Sequence, residues 1–332
     1  MILIVSQDRF EASTQDVIDW ISLLKGKFYR LNGDEFYSIK GVKASKIGKD
    51  GNINDNLPSY LKEVNIAWFR RWNTRDYLDV FYNTNRPTDH SFDIYNSLHQ
   101  DSGTIRQYFF YNLQNLNIKK WLTPPSKTGN NKLITLSMAK EVGLTIPETA
   151  VIGTKTDLIE FYKLRKTIIT KDLTAPFVLK IGDEGWFMSK TREVSKKFID
   201  TLPDTFIPSL FQELVEKSYE LRIFYLDGIF YSMAIFSQKN KKTQLDFRNY
   251  DTVKPNRTVP YKLPKSLEAK LSKLLEKMGL NTASIDIIRK KGTNEYIFLE
   301  VNPVGQFGMT SIPCNYYLEK KIAEYLIQND RP

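Results

Sequence analysis

Apolar positions recur with two different periods along this chain, and each change of period marks a new element. Ile2–Ser6 is a short apolar run, which predicts a buried strand. Val17, Ile18, Ile21 and Leu24 then recur at helical spacing, and Lys27–Asn32 returns to strand character. Strand, helix and strand in that order predict the start of an α/β layer. Ile66–Asn73, reading IAWFRRWN, predicts a further strand that ends on an arginine pair. The polar stretch from Asn83 to Asp101 predicts loop plus helix, and Thr104–Leu116 predicts an amphipathic helix.

Leu122–Asn131 is rich in Pro, Gly and Asn and predicts a loop or linker. Beyond it, Leu133, Leu136 and Ala139 share a helical face, and a strand follows Pro147. Ala175–Gly182 predicts a strand with Lys180 near its end, and Gly182–Phe187 (GDEGWF) a turn bounded by glycines. The long apolar stretch from Leu210 to Gln238 predicts two or three strands, with Asp227-Gly228 as a hairpin turn. Leu267, Leu271, Leu274 and Met278 form the apolar face of a helix that Gly279 caps. The segment from Ser284 to Asn302 predicts a hairpin whose two strands carry acids.

A length of 332 residues exceeds one small core and implies two or three domains. Apolar residues make up 41% and charged residues 26%, the composition of a globular chain with a substantial core. The single cysteine, Cys314, excludes an internal disulfide framework and a cysteine-rich metal site. His90 and His99 show no metal-ligand spacing. The opening apolar run is too short for an export signal and no stretch is long enough to span a membrane, so a cytoplasmic protein is expected. The formal charge of +10 is dispersed, its densest cluster being Lys239–Lys242, and no nucleic-acid-binding motif accompanies it.

Strand alternation places the candidate chemistry. In SIDII, Asp286 faces away from Ile285 and Ile287. In FLEVN, Glu300 and Asn302 point one way while Leu299 and Val301 point the other. Paired as a hairpin, Asp286, Glu300 and Asn302 would offer three hard oxygen ligands suited to Mg²⁺ and substrate phosphates. A solvated sheet face would show the same alternation. Lys180 ends an apolar strand as a point charge able to meet a phosphate, or as an exposed strand end. Glu220 and Arg222 alternate on one strand, and Arg248 follows in QLDFRNYD. Arginines of this kind suit a phosphoryl or acyl-phosphate intermediate. Neither a P-loop nor a G-x-G-x-x-G motif is present.

The order of these parts carries a resemblance. From Asn131 to Asn302 the pieces NK, IPET, FVLK, QELVEKSYELRIFYLDG, DFR and SIDII…FLEVNP resemble an ATP-grasp ligase. MILIVS, WFRRW and EKSYELRIFYLDG resemble one branch of it, the graspetide (omega-ester-containing peptide) ligases, with their microviridin-type and grasp-with-spasm members.

The resemblance implies an α/β (α+β) ATP-grasp fold with an N-terminal pre-ATP-grasp domain over 1–120, a small central domain over 121–211 and a C-terminal antiparallel-sheet domain over 212–332. It implies ATP and two Mg²⁺ ions, with Asp286, Glu300 and Asn302 as metal ligands and Lys180 on the phosphates. Lys132 adds a phosphate contact or is a first-turn surface lysine. Gln212, Glu213, Leu214 and Val215 would form the hinge that reads the adenine edge, Glu220 would bind the ribose, and Arg222 and Arg248 would steady an acyl phosphate. GDEGWF would be a lid.

The implied activity is macrocyclisation of a ribosomal precursor peptide, with leader and core, by joining Asp or Glu side chains to Ser or Thr hydroxyls or Lys amines. A homodimer is implied by the family, and neither a nucleic-acid nor a membrane partner is expected. The alternative is a ligase that adds a free amino acid to a peptide or protein, as glutamate ligases do. A non-catalytic ATP-binding scaffold and a nucleic-acid binder are the readings from other classes.

Overall fold

The computed structural model describes residues 1–7, 11–33, 59–72, 91–114, 118–174, 178–181 and 185–331. They form two compact units, Met1–Thr128 with Tyr317–Pro332, and Gly129–Tyr316.

The first unit is built on a parallel sheet of β1 (Ile2–Ser6), β2 (Phe28–Asn32), β3 (Ile66–Phe69) and β4 (Lys120–Leu122), in the order β2-β1-β3-β4. β1 lies in the middle of the sheet and is buried along its whole length, which explains why it reads as a continuous apolar run. Leu3, Val5, Ala67 and Phe69 enter a core with Phe109 and Leu113 from the helix Ser91–Gln114. That helix is continuous where the sequence predicted loop plus helix followed by a second helix. The helix Ala12–Leu23 buries Val17, Ile18 and Ile21. The C-terminal helix Leu318–Gln328 belongs to this unit and buries Leu318, Ile322, Ala323 and Leu326.

The second unit holds two antiparallel sheets. The smaller has the order β5-β10-β6-β9, from Thr149–Thr154, Thr205–Glu213, Ile168–Lys171 and Arg192–Glu193. Ile152, Leu158, Ile168, Ile199 and Phe211 form its core, with Leu158 and Ile199 supplied by the helices Lys155–Arg165 and Lys196–Thr201. The larger has the order β13-β12-β11-β14-β15, from Arg257–Tyr261, Ile229–Phe236, Lys217–Leu226, Thr282–Lys290 and Tyr296–Asn302. β7 (Val178–Ile181) and β8 (Gly185–Met188) make a separate hairpin.

The long apolar stretch thus splits into three strands, and β10 joins a different sheet from β11 and β12. Asp227 and Gly228, at φ +40 and +97, make the hairpin turn between β11 and β12. One face of the larger sheet packs Leu221, Ile223, Ile285, Ile287 and Val301 against Leu267, Leu271, Leu274 and Leu275 of the helix Lys265–Met278. Gly279 ends that helix at φ +68, as its sequence position predicts. The other face of β11, β14 and β15 is left for the polar residues.

His90, the residues 182–184 of the predicted lid and the side chain of Lys180 lie outside the described residues.

Candidate active site

The alternation in β11, β14 and β15 works as the sequence suggests, with one correction. Asp286 and Glu300 are direct cross-strand partners, and so are Ser284 and Asn302. The register then slips, so that Ile287 pairs with Phe298 and Leu299 has no partner of its own. This bulge turns Leu299 toward the same cavity as Glu300, while Phe298 and Val301 both enter the core. The expectation that Leu299 faces away from Glu300 is therefore corrected: one extra residue in the strand shifts the period.

The cavity has a volume of about 300 Å³. Lys171, Gln212 and Ile169 line it from the smaller sheet, and Glu220, Asp286 and Glu300 from the larger. Lys132, the segment Glu213–Val215, and Asp246 and Arg248 from the loop after β12 complete its polar surround. Of the residues singled out from sequence, Lys132, Gln212, Glu213, Leu214, Val215, Glu220, Arg248, Asp286 and Glu300 all line it. Arg222 and Asn302 do not, and each acts on a residue that does.

Arg222 is 6% exposed, and its Nη1 lies 2.7 and 2.8 Å from Asp286 Oδ1 and Oδ2. Asn302 Nδ2 donates to Glu300 Oε1 over 3.3 Å. The two carboxyls are pushed in opposite directions. Burial raises Asp286, reinforced by Glu300 and opposed by Arg222. Burial also acts to raise Glu300, but Lys171, Arg248 and Lys132 outweigh it and hold Glu300 below the usual carboxylate range.

Lys171 was not singled out from the sequence. Its ammonium makes no hydrogen bond or ion pair to a described residue, and burial lowers its affinity for a proton against the pull of Glu300. It is a cation bordering the cavity with no ion pair to an anion among the described residues. Lys132 is differently placed, since Nζ donates to Asp172 O at 2.7 Å and Thr174 O at 3.1 Å, and so holds the chain just after β6. Arg248 is forked onto Asp246, with Nε 2.9 Å from Oδ1 and Nη2 2.7 Å from Oδ2. Burial acts to raise Asp246, but its bonds to Arg248 prevail and hold it low.

At the hinge, Gln212 is 1% exposed; Nε2 donates to Thr149 Oγ1 at 2.8 Å, and Oε1 is buried without a partner. Leu214 N donates to Thr167 O, whereas Val215 N makes no hydrogen bond to a described residue and borders the cavity. Glu220 accepts from Lys217 Nζ at 2.5 Å and from Ser237 Oγ at 2.6 Å, so Lys217 enters the cavity wall already paired. Lys217 was missed from sequence, although its spacing of three from Glu220 was visible.

Among the described residues no group of three or more His, Cys, Asp or Glu could cage a metal. Two carboxylates with an amide nearby fit Mg²⁺ as it binds beside phosphates, through one or two carboxylates and substrate oxygens. Asp286 and Glu300 are the residues that would hold it, and bound there it would draw charge from phosphate oxygens.

Two antiparallel sheets closing on one cavity, with Lys171 from one and the paired acids Asp286 and Glu300 from the other, define the chain as an ATP-grasp ligase. The family model of the RimK-like ATP-grasp domain matches residues 129–326, and the chain belongs to that family. No curated protein sequence matches it. Among solved structures it is similar to macrocyclase MdnC bound with precursor peptide MdnA from Microcystis aeruginosa MRC, at 27% identity and TM-score 0.78, over 98% of this chain and 99% of that one. It is also similar to a Chryseobacterium gregarium RiPP-associated ATP-grasp ligase in complex with ADP and a leader and core peptide, at 23% identity and TM-score 0.77, over 100% and 97% of the two chains. A third is the ATP-grasp ligase PsnB complexed with minimal precursor, Mg and ADP, at 14% identity and TM-score 0.73, over 99% and 97%. The last two likenesses speak to the fold alone.

Proposed function

We propose that this chain is an ATP-dependent peptide macrocyclase that joins Asp or Glu side chains of a ribosomal precursor peptide to Ser or Thr hydroxyls, or to Lys amines, of the same peptide. The likeness to a macrocyclase bound with its precursor, over nearly the full length of both chains, carries this reading. The charge pattern of the cavity supports it.

In the proposed reaction a carboxylate oxygen of the peptide attacks the γ-phosphorus of ATP, and ADP leaves. The hydroxyl or amine then attacks the acyl carbon, gives up its proton, and inorganic phosphate departs. Lys171, Lys132 and Lys180 meet the phosphates, and Val215 N and its neighbours from Gln212 onward read the adenine edge. Glu220 orders Lys217 at the ribose end. Arg248, steered by Asp246, stabilises the acyl phosphate, while Arg222 holds Asp286 in place from beneath. Asp286 and Glu300, the latter steadied by Asn302, would hold two Mg²⁺ ions in this reading.

Intact-mass spectrometry of a precursor peptide incubated with the protein, ATP and Mg²⁺ tests it. Loss of one water's mass per bond is expected, and mild base then separates esters from amides. Gain of an amino-acid mass would make the protein a residue-adding ligase instead.

A further inference from the structure

The arginine pair that ends IAWFRRWN plays no part in the cavity described above. It lies in the first unit, at the carboxyl end of the parallel sheet. The chain leaves β1 for β2 on one side, then crosses to β3 on the other, so the strand order reverses between β1 and β3. Open α/β sheets bind ligands just outside the strand ends at such a reversal.

The groups gathered there are charged and unevenly satisfied. Asn32 is the register partner of Ser6. Arg70 N donates to Val5 O, which sets Arg70 beside Ser6 on the other flank. Glu11, with a side chain 1% exposed, lies at the start of the helix Ala12–Leu23 and holds both arginines. Its Oε1 accepts from Arg70 Nε at 3.0 Å, Ser13 Oγ at 2.9 Å and Thr14 Oγ1 at 2.9 Å. Its Oε2 lies 3.0 Å from Arg71 Nε and makes no well-aligned hydrogen bond to a described residue.

Arg70 is sealed in, whereas the side chain of Arg71 is 31% exposed. The terminal nitrogens of Arg71 make no hydrogen bond to a described residue. Ser6 Oγ, fully buried in the same row, has no partner either. Arg30, bonded to Asn32 Oδ1 at 2.8 Å, adds a further cation near Glu11 among the described residues. Glu11 thus acts as a fixed counter-ion that aims Arg71 outward and leaves its fork open. A planar fork of two N–H groups matches a carboxylate better than any other common anion of a peptide.

We propose that this edge is a carboxylate-binding site, in which the terminal nitrogens of Arg71 grip an acidic side chain of a peptide. The site belongs to the first unit alone and does not depend on the nucleotide cavity.

Fluorescence polarisation with a labelled decapeptide of alternating Glu and Ala, and its Gln and Ala counterpart, tests it on the full chain. Arg71→Ala should stay folded with a somewhat lower melting temperature, since Glu11 keeps Arg70 as its counter-ion, and should weaken the Glu peptide about tenfold. Arg71→Lys should lose nearly as much, because charge remains while the fork is gone. Lys239→Ala, in the loop after β12, should leave this binding unchanged, and the Gln peptide should bind no variant better than Arg71→Ala binds the Glu peptide. Wild-type affinity in Arg71→Lys would overturn the proposal, since a point charge would then suffice. Loss in Arg248→Ala but not Arg71→Ala would overturn it by moving the binding to the cavity. Displacement by inorganic phosphate far below the effective acetate concentration would overturn the carboxylate assignment.

Discussion

Arg222 grips Asp286 through one terminal nitrogen, Nη1 lying 2.7 and 2.8 Å from the two carboxylate oxygens, while its Nε is buried without a partner. The pair spans β11 and β14, where the two residues are register partners. It therefore fixes an acid of the cavity from beneath. Arg222→Ala would strand Asp286 as a buried, unpaired charge. Such a change costs about 3–5 kcal/mol, and a urea midpoint far below wild type is the expected result. Asp286→Asn should also cost stability, because it leaves Arg222 buried without its counter-charge, and should remove turnover. An unchanged midpoint in Arg222→Ala would show that the pair contributes no stability.

Lys171 gives the opposite pairing of effects. Its proton affinity is lowered by burial, so the unfolded chain binds that proton more readily than the folded one. Stability from this group then rises with pH between the folded pKa and the ordinary lysine value. Lys171→Met should raise the melting temperature of the nucleotide-free protein and weaken ADP–Mg²⁺ binding by roughly 10–100-fold, since a charge-assisted contact to phosphate is lost. The loss should exceed that in Lys180→Met. A less stable Lys171→Met protein that binds ADP normally would remove Lys171 from the nucleotide site.

How far the site could be read in advance depended on local alternation. Glu220 with Arg222, and Asp286 facing away from Ile285 and Ile287, follow from strand period alone, and the structure keeps them. Lys171 was out of reach for a different reason. IITK and FVLK are both apolar runs ending in lysine, and only the antiparallel pairing of β6 with β10, from Lys171 across to Leu210, shows that IITK is a strand of the cavity sheet. The bulge at Leu299 is likewise a matter of register between strands, which a single-strand pattern does not contain. The unbroken helix Ser91–Gln114 defied its polar first half because burial of Phe109 and Leu113 supports the whole element.

The acid side of the stability profile should carry the mark of Glu300 and Asp246. Both have folded pKa values held below the ordinary range, Glu300 by Lys171, Arg248 and Lys132 against burial, and Asp246 by Arg248 against burial. A depressed carboxyl contributes stability that is present above its unfolded pKa and is lost as pH falls through the folded one. Denaturation from pH 6 down to pH 3, an interval of roughly the carboxylate range, should show this loss. Glu300→Gln should flatten it. A Glu300→Gln profile as steep as wild type would contradict the charge pattern drawn for the cavity.

Turnover separates the same groups from folding. Arg248 has a half-exposed side chain forked onto Asp246, so Arg248→Ala removes no core contact. It should melt close to wild type and lose at least ~100-fold in bond formation, the scale of one removed transition-state donor. Asp246→Asn should follow it part of the way, because the amide still accepts a hydrogen bond but no longer anchors the guanidinium by charge. Near-normal turnover in Arg248→Ala would place the acyl-phosphate contacts elsewhere.

The sharp break after β15 has its own physical requirement, and it tests the geometry rather than the chemistry. Gly305 follows Asn302-Pro303-Val304 at φ +54, a left-handed backbone angle that disfavours a side chain. A Cβ there would stand 3.0 Å from Ser284 N and 3.1 Å from Ala283 C, both backbone atoms of β14. Ser284 is the register partner of Asn302, so pushing this turn outward displaces the strand end that carries Asn302 and, two residues before it, Glu300. Gly305→Ala should therefore cost about 1–3 kcal/mol from the strained angle. It should also weaken Mg²⁺-dependent nucleotide binding although residue 305 bears no ligand. Gly228→Ala, at φ +97 with open space around its Cβ, is the control. It should show the backbone penalty alone and bind nucleotide normally. Equal binding losses in the two variants would mean that the turn at Gly305 does not set the position of the acids.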